Sequence, residues 1–261
     1  MKVSAKTVIL EILSANRGPV PVRHLVRAAG VFGVAENSVR VAIVRLRAEG
    51  LVESTERGHY QLGPAAQPVN HRITAYRHTH ERMCTWDGSW IGVFTADLSR
   101  TDRPALRRRS QALRLAGFKK LRPGLNIRPK NLTGGLDSIR SELLGLGLDP
   151  SALIFRITEL SPNEEAAARS LWDVKAMRSI YRDMREQLEE SAARMKAMTQ
   201  EEAIREAFLL GREAIRIVVL DPLLPEPLVP SAERDALAQA AAQYQDDGVA
   251  LWREFLGPIE T

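Results

Sequence analysis

The hydrophobic pattern is most regular in residues 34–61. Apolar side chains recur there at i, i+3, i+4 and i+7, the spacing that places them on one face of a helix. They are Val39, Ala42, Ile43 and Leu46. Gly50 marks a helix end, and two strand-like runs, LVES and HYQL, flank a turn at residues 55–58. The pattern predicts a helix followed by a β-hairpin.

The opposite face of this helix mixes polar, basic and small apolar side chains. Its members are Asn37, Ser38, Arg40, Val41, Val44, Arg45 and Ala48. An amide, two cations and small apolar groups suit adenine edges, phosphates or guanines, and thymine methyl groups in a DNA major groove. The alternative is an ordinary solvated face, but such a face is not usually centred on two valines. We expect base contacts from Asn37, Ser38 and Val41. Phosphate contacts are expected from Arg40, Arg45, Arg57 and His59.

Two shorter helical patterns precede this stretch, at residues 3–16 and 22–29, and Gly30 closes the second. The order of three helices and a hairpin predicts a winged helix-turn-helix in residues 1–66. Ala35 occupies the expected N-cap position of the third helix, where Ser or Asp is preferred. Asn37 is the alternative cap. A linker is predicted at residues 63–68 because of Gly63-Pro64.

The middle segment, residues 67–160, opens with a polar helix predicted at 71–83. Strand and helix patterns then alternate. They are strand 90–96, helix 103–116, extended runs 118–121 and 125–129, helix 135–146 and strand 152–158. This β-α-β-β-α-β order predicts a ferredoxin-like, split βαβ domain.

Residues 161–261 are predicted to form a helical domain, which makes the chain an α+β protein. The predicted helices cover 163–176, 177–198, 202–219 and 232–255. A buried stripe is expected in the second, from Ile180, Met184, Leu188 and Met195. Four prolines in residues 221–230 predict an extended segment before the last helix.

Composition limits the size of the core and the compartment in which the protein is expected. A chain of 261 residues with 44% hydrophobic content can bury a sizeable core. Cys84 is the only cysteine, which excludes a disulfide framework and favours a reducing cytoplasm. Nothing approaches 18 consecutive apolar residues, so we expect no membrane association.

Charge is distributed unevenly along the chain. Residues 1–70 carry +4, residues 71–160 carry +8, and residues 161–261 carry −7. A basic segment, residues 1–160, followed by an acidic one, residues 161–261, favours a protein that binds a polyanion through one side only. Uneven surface charge without function is the alternative.

The sequence offers two candidate chemistries. His71, His78 and His80 have metal-ligand residue types, but no carboxylate or cysteine partner lies at a closing distance, which favours a solvated or phosphate-facing cluster. Asp97 follows the first middle strand, so a metal-dependent nuclease is the alternative function. The more ordinary role for Asp97 is helix capping. We therefore expect a non-enzyme without catalytic residues, a metal site or a resident cofactor.

Five blocks, in order along the whole chain, resemble the PaaX-like family of transcriptional repressors. They are SVRVAIVRLRAEGLV, WDGSWIGVF, GFKKLRPGLNIRP, Leu171-Trp172-Asp173 with Tyr181 after it, and LDPLLPEPLVP. The resemblance implies a homodimer that binds double-stranded operator DNA of a catabolic operon. It also implies a middle domain like the small nuclease subunit of CRISPR adaptation, and release by an aryl-acetyl-coenzyme A thioester. The chain departs from the family at residues 211–216, which are GREAIR in place of a His-containing, Arg-rich run.

A coenzyme A thioester carries phosphates and an apolar acyl end, so its site needs cations beside an apolar cleft. The candidate effector site consists of Arg212, Arg216 and Trp172. The two arginines are cations in an otherwise acidic third of the chain, and Trp172 supplies an apolar side chain. Pairing with Glu206 and Glu213 is the alternative role for the two arginines. A second basic group faces DNA, solvent or the effector. It comprises Arg107, Arg108, Arg109, Lys119, Lys120 and Arg122.

Overall fold

The computed structural model describes residues 3–16, 18–74, 77 and 81–258, and it divides the chain into two compact units. Unit 1 comprises Met1–Thr74, Glu186–Ala214 and Ala240–Thr261. Unit 2 comprises Ala75–Arg185 and Ile215–Gln239. The segment from residue 161 onward, predicted as one helical domain, is therefore shared between the units.

Unit 1 begins with three helices: α1 (Ala5–Ala15), α2 (Val22–Gly30) and α3 (Glu36–Ala48). All three were predicted, within two residues at each end. They share one core, because each turns its apolar face towards the others. The buried side chains include Val8, Ile9, Ile12 and Leu13 of α1, Leu25 and Ala28 of α2, and Val39, Ile43 and Leu46 of α3.

A three-stranded antiparallel sheet follows. Its strands are β1 (Val20–Pro21), β2 (Val52–Glu56) and β3 (His59–Leu62), in the order β1-β3-β2. The hairpin β2–β3 confirms the prediction from LVES and HYQL. β1 was not predicted, because two residues are too few to show an alternating pattern. A β-bulge lies between Ser54 and Glu56.

The segment predicted as a linker is structured instead. A 3₁₀ helix spans Pro64–Ala66, and α4 (Gln67–Thr74) follows at once. The helix predicted at 71–83 therefore starts earlier, because Pro64 and the polar run after it are compatible with a helix start. Its predicted C-terminal end is wrong, because α4 ends at Thr74 and Met83 forms a β-bridge with Leu132. Residues 75, 76 and 78–80 of that predicted helix lie outside the described residues.

Unit 2 contains a four-stranded antiparallel sheet and two helices that connect its strands. Along the chain they are β4 (Trp90–Phe94), α5 (Arg103–Leu115), β5 (Lys119–Arg122), β6 (Leu125–Pro129), α6 (Gly135–Gly145) and β7 (Leu153–Ile157). The order across the sheet is β5-β6-β4-β7, so β5 and β7 form its edges.

Both faces of this sheet are covered. Ile91 and Val93 of β4 pack with apolar residues of α5 and α6. Trp90 and Ile127 point to the opposite face and pack with Trp172 and the proline-rich segment. Gly92 of β4 leaves room for the ring of Phe155, since a Cβ there would lie 2.8 Å from that ring and one of the two would have to shift.

Four helices complete the chain: α7 (Pro162–Arg169), α8 (Val174–Met195), α9 (Gln200–Val219) and α10 (Ala232–Leu256). The continuous helix predicted for residues 163–176 is wrong, because it breaks after Arg169. Asp173 explains the restart: its carboxylate accepts a hydrogen bond from the backbone N–H of Ala176 at 2.9 Å, as an N-cap does.

The buried stripe predicted on α8 is partly wrong. Met184 and Leu188 are buried, but Ile180 is 47% exposed and Tyr181 is buried in its place. Ser191 is also buried, so the inward positions follow the spacing 181, 184, 188 and 191. The buried face of α8 is therefore the one that carries Tyr181, and Ile180 lies next to this face, partly exposed.

Candidate nucleic-acid interface

Helix α3 is held by its apolar face, which leaves its other face free. Val39, Ile43 and Leu46 are at most 3% exposed. Ala35 is the N-cap residue and gives no side-chain capping bond. The alternative that Asn37 caps the helix is therefore wrong. Asn37 lies inside the first turn with its side chain exposed.

The outward face is exposed at every predicted contact position. These positions are Asn37, Ser38, Arg40, Val41 and Arg45. Two valines lie among them without apolar cover, Val41 at 42% exposure and Val44 at 66%. Exposed valines next to exposed cations and an amide form a surface able to contact both base edges and phosphates.

The hairpin presents Arg57 at its tip. Gly58 follows with φ +82°, a backbone angle that L side chains rarely adopt, which fixes the tight turn. The Ser54 hydroxyl donates to the carbonyl oxygen of Glu56 at 2.8 Å and braces the bulge. Arg57 is exposed, whereas His59 is half-buried. The Nδ1 atom of His59 lies 3.2 Å from Oε1 of Glu56, without hydrogen-bond geometry.

The electrostatics of this face follow from which carboxylates already have partners. Glu36 accepts from Arg40 at 2.6 and 2.9 Å, and other polar groups contact the remaining acids nearby. Those contacts are Glu49 with Lys6, Glu53 with Gln61, and Glu56 with His59. Within the described part of the chain, Arg45, Arg47 and Arg57 have no ion-pair partner. Three cations on this face are therefore available to an anionic ligand.

Arg47 was missed by the sequence analysis. It lines a shallow groove between α3 and β2, together with Val44, Ser54 and Pro64. Its position three residues after Val44 places both side chains on one side of the helix. The sequence could have indicated Arg47 through this spacing, but only Val44 was included in the predicted face.

Segments of α9 and α10 also belong to unit 1. The rings of Phe32 and Phe208 are 4.6 Å apart, and Phe208 is part of the core formed by α1, α2 and α3. The Arg27 guanidinium lies 4.5 Å from the centre of the Phe255 ring. The Arg205 guanidinium donates to the backbone oxygen of Val31. The C-terminal helices therefore help to hold α2 and the loop before α3.

The three predicted effector residues have different environments. Arg212 forms an ion pair with Glu11 of α1, so the alternative of pairing with Glu206 and Glu213 is wrong. Glu206 instead accepts from Arg194 at 2.8 Å. Arg212 belongs to unit 1, while Arg216 and Trp172 belong to unit 2.

The partner of Arg212 has an altered acidity. Burial raises the pKa of Glu11 to about 7, and the Arg212 guanidinium opposes part of that rise. Near neutral pH this carboxyl group is therefore divided between its protonated and ionised forms. The net charge at the contact between α1 and α9 therefore changes within the same pH range.

Trp172 lies in a cluster of three tryptophans in unit 2. Its ring stacks on Trp90 with 6.1 Å between centroids, and Trp86 meets Trp90 edge-on at 5.2 Å. Trp172 is 5% exposed, and its indole N–H has no hydrogen-bond partner. Arg216 is exposed on α9.

The proline-rich segment is anchored by buried polar groups. The Tyr181 hydroxyl donates to the carboxylate of Asp221, whose other oxygen accepts from the backbone N–H of Leu223 at 2.7 Å. The Asn131 amide donates to the Leu223 carbonyl at 2.6 Å. Burial raises the pKa values of both Tyr181 and Asp221. The motif residues Tyr181 and Asp221 thus act in the packing of unit 2.

The remaining candidates give no metal centre. His71 is exposed, while His78 and His80 lie outside the described residues. Asp97 is exposed after β4, and the residue that caps α5 is Asp102, not Asp97. No group of three or more His, Cys, Asp or Glu side chains in the described ranges is arranged to hold a metal ion. Each helix among those ranges is too short or too polar to cross a lipid bilayer.

Comparisons with known proteins match both ends of the chain to one family. Residues 4–66 match the model of the PaaX-like protein, and residues 172–253 match that of the PaaX-like protein C-terminal domain. The transcriptional repressor PaaX of Escherichia coli (strain K12) is 25% identical over 234 residues, which cover 84% of this chain and 71% of that protein. A solved structure of an uncharacterized protein from Mycobacterium tuberculosis superposes with a TM-score of 0.58 at 22% identity, covering 94% of this chain and 99% of the other. The two family models together span more than half of the sequence, and the chain belongs to the PaaX-like protein family.

Proposed function

We propose that this protein is a transcriptional repressor that binds operator DNA through the exposed face of α3 and the β2–β3 hairpin. The observation that carries the proposal is the pair of faces on α3. One is buried in the core, while the other exposes Asn37, two valines and the unpaired Arg45. The similarity to the Escherichia coli repressor supports the same role.

The proposed architecture of unit 1 is a winged helix-turn-helix. Three helices are followed by a hairpin with Arg57 at its tip, which supports α3 as the recognition helix and the hairpin as the wing. In this arrangement Asn37, Ser38 and Val41 would face bases near the helix start. Arg45, Arg47 and Arg57 would contact phosphates.

For unit 2 we propose a ferredoxin-like domain. The β-α-β-β-α-β order and the sheet order β5-β6-β4-β7 support it. We also propose that the repressor is a homodimer, since the edge strand β7 carries Leu153 at 60% exposure. A monomer in sedimentation at micromolar concentration would contradict the dimer.

Release by a small acyl- or aryl-coenzyme A effector is a further part of the proposal. An effector phosphate at Arg212 would compete with Glu11, a partner that burial makes partly protonated near neutral pH. Separately, the indole N–H of Trp172 offers an unpartnered donor, and Arg216 an exposed cation. Thermal shift with coenzyme A thioesters, on wild type and on Arg212→Ala, Arg216→Ala and Trp172→Phe singly, tests each residue.

Selection of genomic duplexes by the full-length protein, followed by footprinting, tests operator binding. We expect an enriched inverted repeat whose half-sites lie whole turns of about 10 bp apart. Transcription in vitro from the enriched promoter should fall as protein is added. Arg45→Ala with Arg47→Ala should lose binding, while the control Lys175→Ala with Lys196→Ala, which removes two exposed cations elsewhere, should retain it. No enrichment over random DNA would refute the proposal.

A further inference from the structure

The most basic stretch of the chain lies in unit 2, outside the proposed DNA-reading face. Residues 100–130 contain eleven Lys or Arg and a single acidic residue, Asp102. Asp102 is already engaged as the N-cap of α5, where it accepts from the Ala105 backbone N–H at 3.0 Å. Even with the charge of Asp102 included, the stretch carries a net charge of +10.

Some of these cations have structural roles. Arg109 is buried and donates to the carbonyl oxygens of Thr95 and Ser99, at 3.2 and 2.6 Å. Arg128 is buried and donates to the Ala116 carbonyl at 2.5 Å. Lys130 pairs with Asp87 at 3.2 Å. These three hold the domain together and are not available to a ligand.

Three exposed arginines of α5 form a stripe, while Arg108, which is also exposed, lies on another side of the helix. Arg103, Arg107 and Arg114 are spaced by four and seven residues, which places them along one helix face, with Gln111 between the last two. All are exposed, and within the described ranges the three arginines make no ion pair. At 1.5 Å per residue the stripe is about 16 Å long.

A second exposed group, Lys119, Lys120 and Arg122, lies on β5. That strand is a sheet edge, where charged side chains also discourage pairing with another chain, so its cations have an explanation without a ligand. The arginines of α5 do not lie at a sheet edge. The high density of arginines on α5, in a stretch with a single carboxylate, is therefore stronger evidence for an anionic ligand than the cations of β5.

We infer that the exposed arginine stripe of α5 is a second DNA-contact surface, which binds the phosphate backbone of a duplex without reading its sequence. Duplex DNA carries one charge per about 1.7 Å of its axis, so the stripe matches a run of phosphates. Arginine binds phosphate oxygens through paired N–H donors. The inference rests on the proposed function, because it adds contacts to the DNA that α3 would recognise.

The test measures salt dependence of operator binding by the full-length chain. The variant is R103Q with R107Q and R114Q, and the control is K175Q with R182Q and K196Q, an equal charge change at exposed positions of α8 and just after it. We expect the stripe variant to lose roughly tenfold in affinity near 0.15 M salt, and its slope of log affinity against log salt to fall by about 0.9 for each lost contact. The preference for operator over random DNA should stay as in wild type, since phosphate contacts carry no sequence information.

An additional variant with lysine at all three positions keeps the charge and should restore most of the slope. A stripe variant that binds with the same slope as the control would overturn the inference, even though operator binding itself is intact. Wild-type protein without any operator preference would instead refute the proposed function. Circular dichroism of each variant shows that loss of binding is not loss of fold.

Discussion

The ring of Phe208 on α9 lies 4.6 Å from the ring of Phe32, which follows α2. Phe208 is separated from the first three helices by more than 150 residues of chain, yet it is 7% exposed and packs in their core. A helix from the C-terminal part of the sequence is thus a structural component of the unit that carries α3.

Phe208→Ala should therefore destabilise unit 1. Truncating a buried phenylalanine to alanine typically costs about 3–5 kcal/mol, and the cavity would open beside the loop that leads into α3. Urea unfolding followed by circular dichroism measures the change. Leu209→Ala is the control, because Leu209 is 36% exposed and should cost far less. Equal losses for the two variants would show that Phe208 is not part of this core.

The burial of Glu11 predicts a pH dependence of stability. Since burial raises the folded-state pKa of Glu11 to about 7 from 4.5, the protonated form favours folding. This contribution is fully present below about pH 4.5 and is lost as pH rises through about 7. The wild-type free energy of unfolding should therefore fall, relative to Glu11→Gln, between these values. A constant difference between wild type and variant over pH 4.5–8 would contradict the altered acidity.

Arg45 and Arg40, two of the three arginines of α3, should differ in their effect on DNA binding. Arg45 has no ion-pair partner among the described residues, whereas Arg40 is paired with Glu36 at 2.6 Å. Arg45→Ala should lower the slope of log affinity against log salt by about 0.9, the value for one phosphate contact. Arg40→Ala should lower it less, and Glu36→Gln should increase affinity by freeing Arg40. Filter binding from 0.05 to 0.3 M salt compares the three, and a larger effect at Arg40 would contradict the assignment.

The hydrogen bond from Tyr181 to Asp221 should stabilise unit 2. Tyr181→Phe removes the hydroxyl and leaves a buried carboxylate oxygen without that donor, which typically costs about 1–3 kcal/mol. Loss of the donor also raises the pKa of Asp221 further above its ordinary value. Urea unfolding against the control Tyr60→Phe, whose residue is half-buried in β3, measures the difference. An unchanged midpoint for Tyr181→Phe would show that the bond contributes nothing.

Local patterns predicted most of the elements and failed where partners are distant in sequence. The spacing of Val39, Ile43 and Leu46 was enough to place α3, because helical periodicity is local. Arg109 and Arg128 were not recognised as buried, since their partners are backbone carbonyls brought close only by the fold. The pairing of Arg212 with Glu11 joins residues about 200 positions apart, and no sequence spacing indicates it.

The candidate site shows the same division. Exposure of Asn37, Val41 and Arg45 followed from the face opposite the apolar one. Pairing of Glu36 with Arg40 at i, i+4 is also a local relationship, and it could have lowered the weight given to Arg40. For Arg47 the spacing from Val44 is local, but the groove that it lines is formed with β2 and Pro64, which approach α3 only in the folded chain.

The central claim, that α3 reads operator sequence, is tested most directly by the affinity of Asn37→Ala for operator and for random duplexes at one salt concentration. Asn37 is exposed in the first turn of α3, where recognition helices contact base edges. The account predicts a loss of about 1–3 kcal/mol on the operator, confined to one base pair, and unchanged affinity for random DNA. Equal loss on both duplexes, or no loss on either, would contradict it.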